Sequence, residues 1–315
     1  MLAEAQEAVA VFEELGDDLG LARALRLMSD AHALSGRAAK AAEVAGRAAE
    51  HARRAESHRE EAWALEVFGW AQFFGPTPVA EAIRQRELRL EQPEGNREAQ
   101  VVAARQLAEL RALLGRFAEA REEMVRSDIR TRDLGLKWVS GWAGVHFAYL
   151  EILADDPVAA ERHLRAACEL ASDGGDKLLS ACASVDLARA LYVQGRYEES
   201  AQLTEVFDEV VPYMEIRVKR EGMRAKLAAR RGEVERAEAL AREAVSLAEQ
   251  TDFVLFHADA LLDLAEVLRL AGRPEEAAAA AEEAVRLYER KGAVVAAESA
   301  QALLAELGGQ VPMRP

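Results

Sequence analysis

The sequence predicts an all-α protein, a solenoid of antiparallel helix pairs repeating every 40 residues or so. Three observations carry that prediction. The first is composition: of 315 residues 50% are apolar but only 6% aromatic, and alanine supplies much of the apolar share. That balance suits closely packed helices better than a sheet core of valine and isoleucine. The second is a turn that recurs at Gly36, Gly75, Gly115, Asp155, Gly195, Gly232 and Gly272, with gaps of 39, 40, 40, 40, 37 and 40 residues. The third is a second series of breaks halfway between, at Asp17, Ser57, Gly95, Gly135, Gly174, Pro212, Asp252 and Gly292. Two interleaved series at one period mark a repeat of two elements, each cut from its neighbour by a turn.

The breaks assign the elements in order. Residues 1–16 form a partial unit, a single helix. Its sequence "LAEAQEAVAVFEELGDDLGLARAL" aligns with "AAEEAVRLYERKGAVVAAESAQAL", so it reads as the second helix of a unit and as a piece of a longer protein or the product of an internal start. Residues 17–292 hold seven full pairs, divided at Gly36, Gly75, Gly115, Asp155, Gly195, Gly232 and Gly272. Residues 293–307 form a terminal helix and 308–315 a tail, for about 16 helices in a single domain spanning 1–315. Within "FHADALLDLAEVLRLA", Leu261, Leu264, Ala265 and Leu268 follow the i, i+3, i+4, i+7 spacing of one helical face. Glycine takes the left-handed conformation that ends a helix. Pro78, Pro157 and Pro274 stand at helix starts, where a missing N–H costs little. The pairs Asp155–Asp156 and Glu198–Glu199 lie at turns and first turns, where carboxylates favour a helix N-terminus.

Small and large residues alternate at fixed places within a unit. Ala265, Gly272 and Ala277 stand beside Leu264 and Leu268; Ala188, Gly195 and Ser200 beside Leu187, Leu191 and Tyr197; Ala108, Gly115 and Ala120 beside Leu107 and Phe117. These places resemble the tetratricopeptide repeat, although the period exceeds that family's 34 residues. The longer period resembles the helical arrays in the C-terminal halves of large bacterial regulators, and "ADALLDLAEVLRLAGRPEEAAAAAEEAVRLYERKG" looks like the array behind cyclase–ATPase fusions. The resemblance implies a right-handed, tetratricopeptide-like superhelical solenoid, serving as an arm that senses or regulates. It implies no ATPase or cyclase activity here, because G-x-x-x-x-G-K-[ST] occurs nowhere in the chain.

The formal charge of −15 works against binding nucleic acid or anionic lipid. No apolar run is long enough to span a membrane, and the N-terminus lacks a basic segment followed by an apolar one. Two cysteines cannot staple 315 residues, so Cys168 and Cys182 read as packing thiols in a reducing, cytoplasmic setting. G-x-S-x-G, H-E-x-x-H and C-x-x-C are missing, so no catalytic residue, metal or cofactor is expected. His51 and His58 flank the break at Ser57, which makes them surface residues rather than ligands of one ion. Trp63 and Trp70 are expected in the core.

Candidate binding residues follow from the resemblance, which implies that the first helix of each pair lines an inner groove. Counting back from Asp155 nominates Trp142, Val145, His146 and Tyr149 within "LGLKWVSGWAGVHFAYLEILA", an aromatic stretch in a chain poor in aromatics. The alternative places Trp138, Trp142 and Phe147 in the core between repeats. The same count nominates Arg23, Arg26 and Asp30, then Arg105, Gln106 and Glu109. Beyond them come Asp186, Arg189, Lys219, Lys226 and Arg230, and finally Asp263, Glu266 and Arg269. Aromatics with charged flanks suit a protein or peptide partner, or the ATPase or cyclase module of the same longer chain. The expected function is therefore a non-catalytic interaction scaffold in bacterial signal transduction. The alternative is a sensor holding a small inducer in the groove.

Overall fold

A computed structural model describes residues 2–91, 96–205 and 213–310, without the side chains of 137–140, 205, 309 and 310. Among the described residues there are sixteen α-helices and no strand. They are α1 (Leu2–Leu15), α2 (Asp18–Leu34), α3 (Ala38–Arg54), α4 (His58–Phe74), α5 (Val79–Leu90), α6 (Arg97–Leu113), α7 (Phe117–Asp133) and α8 (Lys137–Leu153). There follow α9 (Pro157–Gly174), α10 (Lys177–Val193), α11 (Tyr197–Glu205), α12 (Met214–Arg230), α13 (Val234–Glu249), α14 (Val254–Leu270), α15 (Pro274–Lys291) and α16 (Val294–Gln310). The protein is an all-α solenoid of helix pairs. None of the described helices is long and apolar enough to cross a membrane.

The turns explain the helix ends. Gly36, Gly115, Gly195, Gly232 and Gly272 all have φ between 73° and 79°, the left-handed region open to glycine without a Cβ clash. Asp155 takes the same place with φ 57°, a conformation short polar side chains tolerate. Gly75 differs. Its φ of −83° is ordinary, but a Cβ there would lie 2.5 Å from the Ala71 carbonyl oxygen and 2.6 Å from Ala38 Cβ, so glycine supplies space. The turn expected at Gly174 closes one residue later, at Gly175 with φ 68°. Gly95 and Pro212 lie outside the described residues. Helix α16 runs to Gln310, three residues past the boundary read from sequence. The N-termini use the signals the sequence carries: Asp17, Asp156 and Asp176 cap α2, α9 and α10 through the third amide, at 3.0, 2.9 and 3.0 Å.

The chain forms two compact units. The first comprises Met1–Arg111, Ala118–Ser140 and Thr251–Phe253. Its core joins Leu25 of α2, Val44, Ala48 and Ala49 of α3, Ala62 and Leu65 of α4, and Val102 of α6. Helix α3 has no side-chain cap of its own. Asp252 supplies one, accepting from Ala38 N and, at 2.8 Å, from Ala39 N, while its amide donates to the Gly36 carbonyl at 3.0 Å. Phe253 is buried edge-on against Trp70, with centroids 5.2 Å apart. Trp63 is half-buried beneath the Arg26 guanidinium at 4.2 Å.

The second unit comprises Ala112–Phe117, Gly141–Gln250 and Val254–Pro315. Alanine dominates the seams: Ala237 and Ala241 of α13, Ala265 of α14, and Ala277 and Ala281 of α15 meet in one cluster and have no exposed surface. A methyl group lets two helix axes come close and loses almost no side-chain entropy on burial. Ser200 fills the same small place in α11, and its Oγ donates to the Ala188 carbonyl at 2.7 Å.

Candidate interaction face

In the second unit α10, α12 and α14 pack side by side, α12 touching both others. They are the first helices of three successive pairs, so like places on each fall into rows. A small crevice opens on their common face. Val185, Val218, Met223 and Phe256 form its floor, and Asp186, Arg189, Lys219, Asp259 and Asp263 its charged walls. Its interior is about 20 Å³, room for a water or two rather than for a drug-sized molecule.

The walls are cross-linked from helix to helix. Lys219 lies 3.1 Å from Asp186 and 2.8 Å from Glu215. Arg189 reaches Asp259 at 3.3 Å, and the Tyr288 hydroxyl donates to the other oxygen of the same carboxylate. Lys226 is 2.7 Å from Asp263 and stands 4.7 Å over the ring of Tyr192. Arg230 pairs with Glu266 at 3.1 Å and donates to the Tyr192 hydroxyl at 3.0 Å, which itself donates to Glu266 at 2.5 Å. Opposite charges meet in pairs along the row, five carboxylates against four cations.

Burial and neighbouring charge set the ionisation. Burial pushes the Asp263 carboxyl up, against the pull of Lys226 and Arg189. For Glu266 burial acts the same way, but Lys226, Tyr192 and Arg230 together outweigh it and hold the group down. The phenols of Tyr149, Tyr192 and Tyr288 are all raised, first by burial and then by the carboxylates beside them. A phenolate would have to form in a poorly hydrated place next to an existing negative charge.

Asp259 is the wall residue that the groove count misses. It lies one helical turn before Asp263, so extending the count by four residues would have reached it. Tyr288 belongs to the second helix of its pair, and no count along first helices finds it. Gly222 is also silent in the sequence: a Cβ there would lie 2.3 Å from Asp263 Oδ2, so the glycine makes room for that carboxylate.

The remaining candidates lie on α8 and α6, and Tyr149 of α8 is near enough to Asp259, Arg189 and Lys219 to feel their charge. On α8, Trp142, His146 and Tyr149 are half-buried. Trp142 packs against Ala181, Cys182, Val185 and Ile216, and Phe147 stacks on His163 at 5.0 Å. The Trp138 side chain is outside the described part of the chain. Arg105 and Glu109 belong to α6, where Arg105 is only 4% exposed and pairs with Glu66 and Glu109. Gln106 beside them donates to the Leu65 carbonyl at 2.9 Å. Cys182 is buried and Cys168 half-buried, both as free thiols. His51 bonds Asp18 at 2.7 Å. Among the described residues no group of three or more His, Cys, Asp or Glu side chains is placed to hold a metal ion.

No family model and no curated protein matches the chain. Solved structures do. The Rap protein complexed with Competence and Sporulation Factor matches 98% of this chain and 94% of its own, at 15% identity and a TM-score of 0.59. The APC/C hetero-tetramer Cut9-Hcn1 matches 92% of this chain at 12% identity and a TM-score of 0.58, and the chain spans about half of that one's length (54%). The apo form of the quorum sensor NprR from B. thuringiensis matches 94% of this chain and 81% of its own, at 12% identity and a TM-score of 0.52. At these identities the likeness is one of fold, a tetratricopeptide-like helical array.

Proposed function

We propose that the protein is a non-catalytic, cytoplasmic interaction scaffold, the regulatory or sensing arm of a bacterial signalling protein. Its partner is a protein or peptide segment, including an ATPase or cyclase module of a longer chain. The observation that carries this reading is the row of paired charges across α10, α12 and α14 above an apolar floor. Such a surface offers regularly spaced hydrogen-bonding groups to an extended segment. Asp186, Arg189, Lys226 and Arg230 supply those contacts, and Trp142, His146 and Tyr149 of α8 add half-buried aromatic area in the same unit. Arg105 and Glu109 on α6 are separate candidate contacts, belonging to the first unit by itself. The water-sized crevice favours a segment laid across it over the alternative of a small inducer enclosed within it. Support also comes from the kinds of protein that share the fold: a Rap protein complexed with a factor, a quorum sensor and a hetero-tetramer subunit.

The test is selection of peptides from a displayed random library against the full chain. Enriched peptides should bind the Arg189→Ala/Lys226→Ala variant at least tenfold more weakly, the loss expected when charge-assisted hydrogen bonds disappear. Selection that enriches nothing, or peptides indifferent to both substitutions, ends the reading.

A further inference from the structure

Arg189 and Asp263 line the same crevice, and each keeps one hydrogen-bonding edge unused. Among the described residues Arg189 spends Nη1 on Asp259, and its Nε and Nη2 make no further hydrogen bond. Its side chain is 36% exposed and lines the crevice. Asp263 gives Oδ1 to Lys226, and its Oδ2 has no hydrogen bond among the described residues. The cavity thus presents free donors on one wall and a free acceptor on the other.

Charge decides what fits there. Asp186 is matched by Lys219, Asp259 by Arg189, and Asp263 by Lys226, which stands outside the lining, so each of the crevice's three carboxylates already has a cation beside it. An incoming anion would meet the carboxylates and an incoming cation the amines, while either would lose its hydration. A neutral group with its own donor and acceptor loses least and satisfies both walls. The main chain of an extended peptide is such a group, because one residue's N–H and C=O point to the same side.

We infer that the Arg189–Asp263 pair is a main-chain clamp, holding the C=O and N–H of one residue in an extended, uncharged peptide segment. This rests on the scaffold reading and refines it: recognition at this point is of backbone, not of an acidic or basic side chain. Arg189 donates to the carbonyl and Asp263 Oδ2 accepts from the amide. Gly222 sets the position of Oδ2, since a methyl group there would occupy its place.

The experiment follows the arginine Nε–Hε NMR signals of the full chain, with the Arg189 signal assigned through an Arg189→Lys variant. The probe is a tripeptide blocked at both ends, N-acetyl-Ala-Leu-Ala-N-methylamide. Acetate and methylammonium at matched concentration and ionic strength are the charged controls. The blocked peptide should shift the Arg189 signal saturably, and the controls should not. Replacing the central amide by an ester removes the N–H and should weaken binding about tenfold. Gly222→Ala should do the same without changing any charge, and so should Asp263→Asn, whose NH2 must face either the Lys226 ammonium or the peptide N–H, a donor against a donor. An equal response to acetate or to methylammonium overturns the clamp, as does no response to the blocked peptide or equal binding by the ester. If library-selected peptides bind while the blocked tripeptide does not, the clamp fails and the scaffold reading stands.

Discussion

Ala277 is the place where a single side chain shows what the alanine-rich composition is for. It has no exposed surface and shares a cluster with Ala265, Leu264 and Leu268 of the facing helix. Ala277→Leu adds three carbons to space that is already filled, and should cost roughly 1–3 kcal/mol through displaced neighbours. Ala279, two residues on, is exposed, so Ala279→Leu should leave the thermal melt nearly unchanged. Equal melting for both variants would mean that alanine serves helix propensity alone. Ser200 makes the same point chemically: its hydroxyl is tolerated in a dry seam because the Ala188 carbonyl receives it.

At the scale of the element, the turns separate two costs of losing a glycine. Gly195 has φ 77° and nothing within 4 Å of the place an added methyl group would take, so Gly195→Ala should cost about 1 kcal/mol from backbone conformation alone. Gly36 has φ 79° and also lies under Thr251, whose Cγ2 would be 2.4 Å from the new Cβ. Gly36→Ala should therefore be clearly the more damaging in urea denaturation, since it also pushes Asp252 off the α3 N-terminus. Equal losses would show that the Thr251 contact carries no stability. These turns were legible in the sequence because a residue that must take positive φ announces itself as glycine. The contact on Gly36 was not, because Thr251 and Asp252 stand more than 200 residues away and look like any other polar turn. The crevice falls between these cases. Counting back from the turns, along the first helices that the resemblance points to, found Asp186, Arg189, Lys219 and Asp263. Which carboxylate meets which cation depends on the offset between neighbouring helices, and Gly222 matters only once Asp263 is beside it.

Over the whole molecule, the tyrosines give the network a spectroscopic signature. Of the five in the chain, Tyr149, Tyr192 and Tyr288 have phenols raised above their ordinary value by burial and by Asp259 or Glu266. A group whose folded pKa exceeds its unfolded value contributes stability that is complete below the unfolded pKa, near 10, and fades as pH rises beyond it. Absorbance at about 295 nm should therefore show the phenolates of Tyr149, Tyr192 and Tyr288 appearing only as the chain unfolds in strong alkali. Melting temperature should fall over the same interval. Five phenolates titrating together in a folded chain would contradict the burial of the network.

The left-handed turns also bear on how such a chain can change length. Gly232 and Gly272 have φ of 79° and 73°, close the first helix of successive pairs, and are each followed by a charged residue and a new helix. Removing Glu233–Gly272 would join Gly232 to Arg273 with the same backbone geometry at the splice. Helix α15 would then follow α12 with alanines at the seam, as α13 does now. The repeat is thus a cassette that can be lost or duplicated in frame without inventing a new junction. This cassette carries Phe256, Asp259 and Asp263. A change of length here would therefore also be a change of ligand chemistry, made in one genetic step.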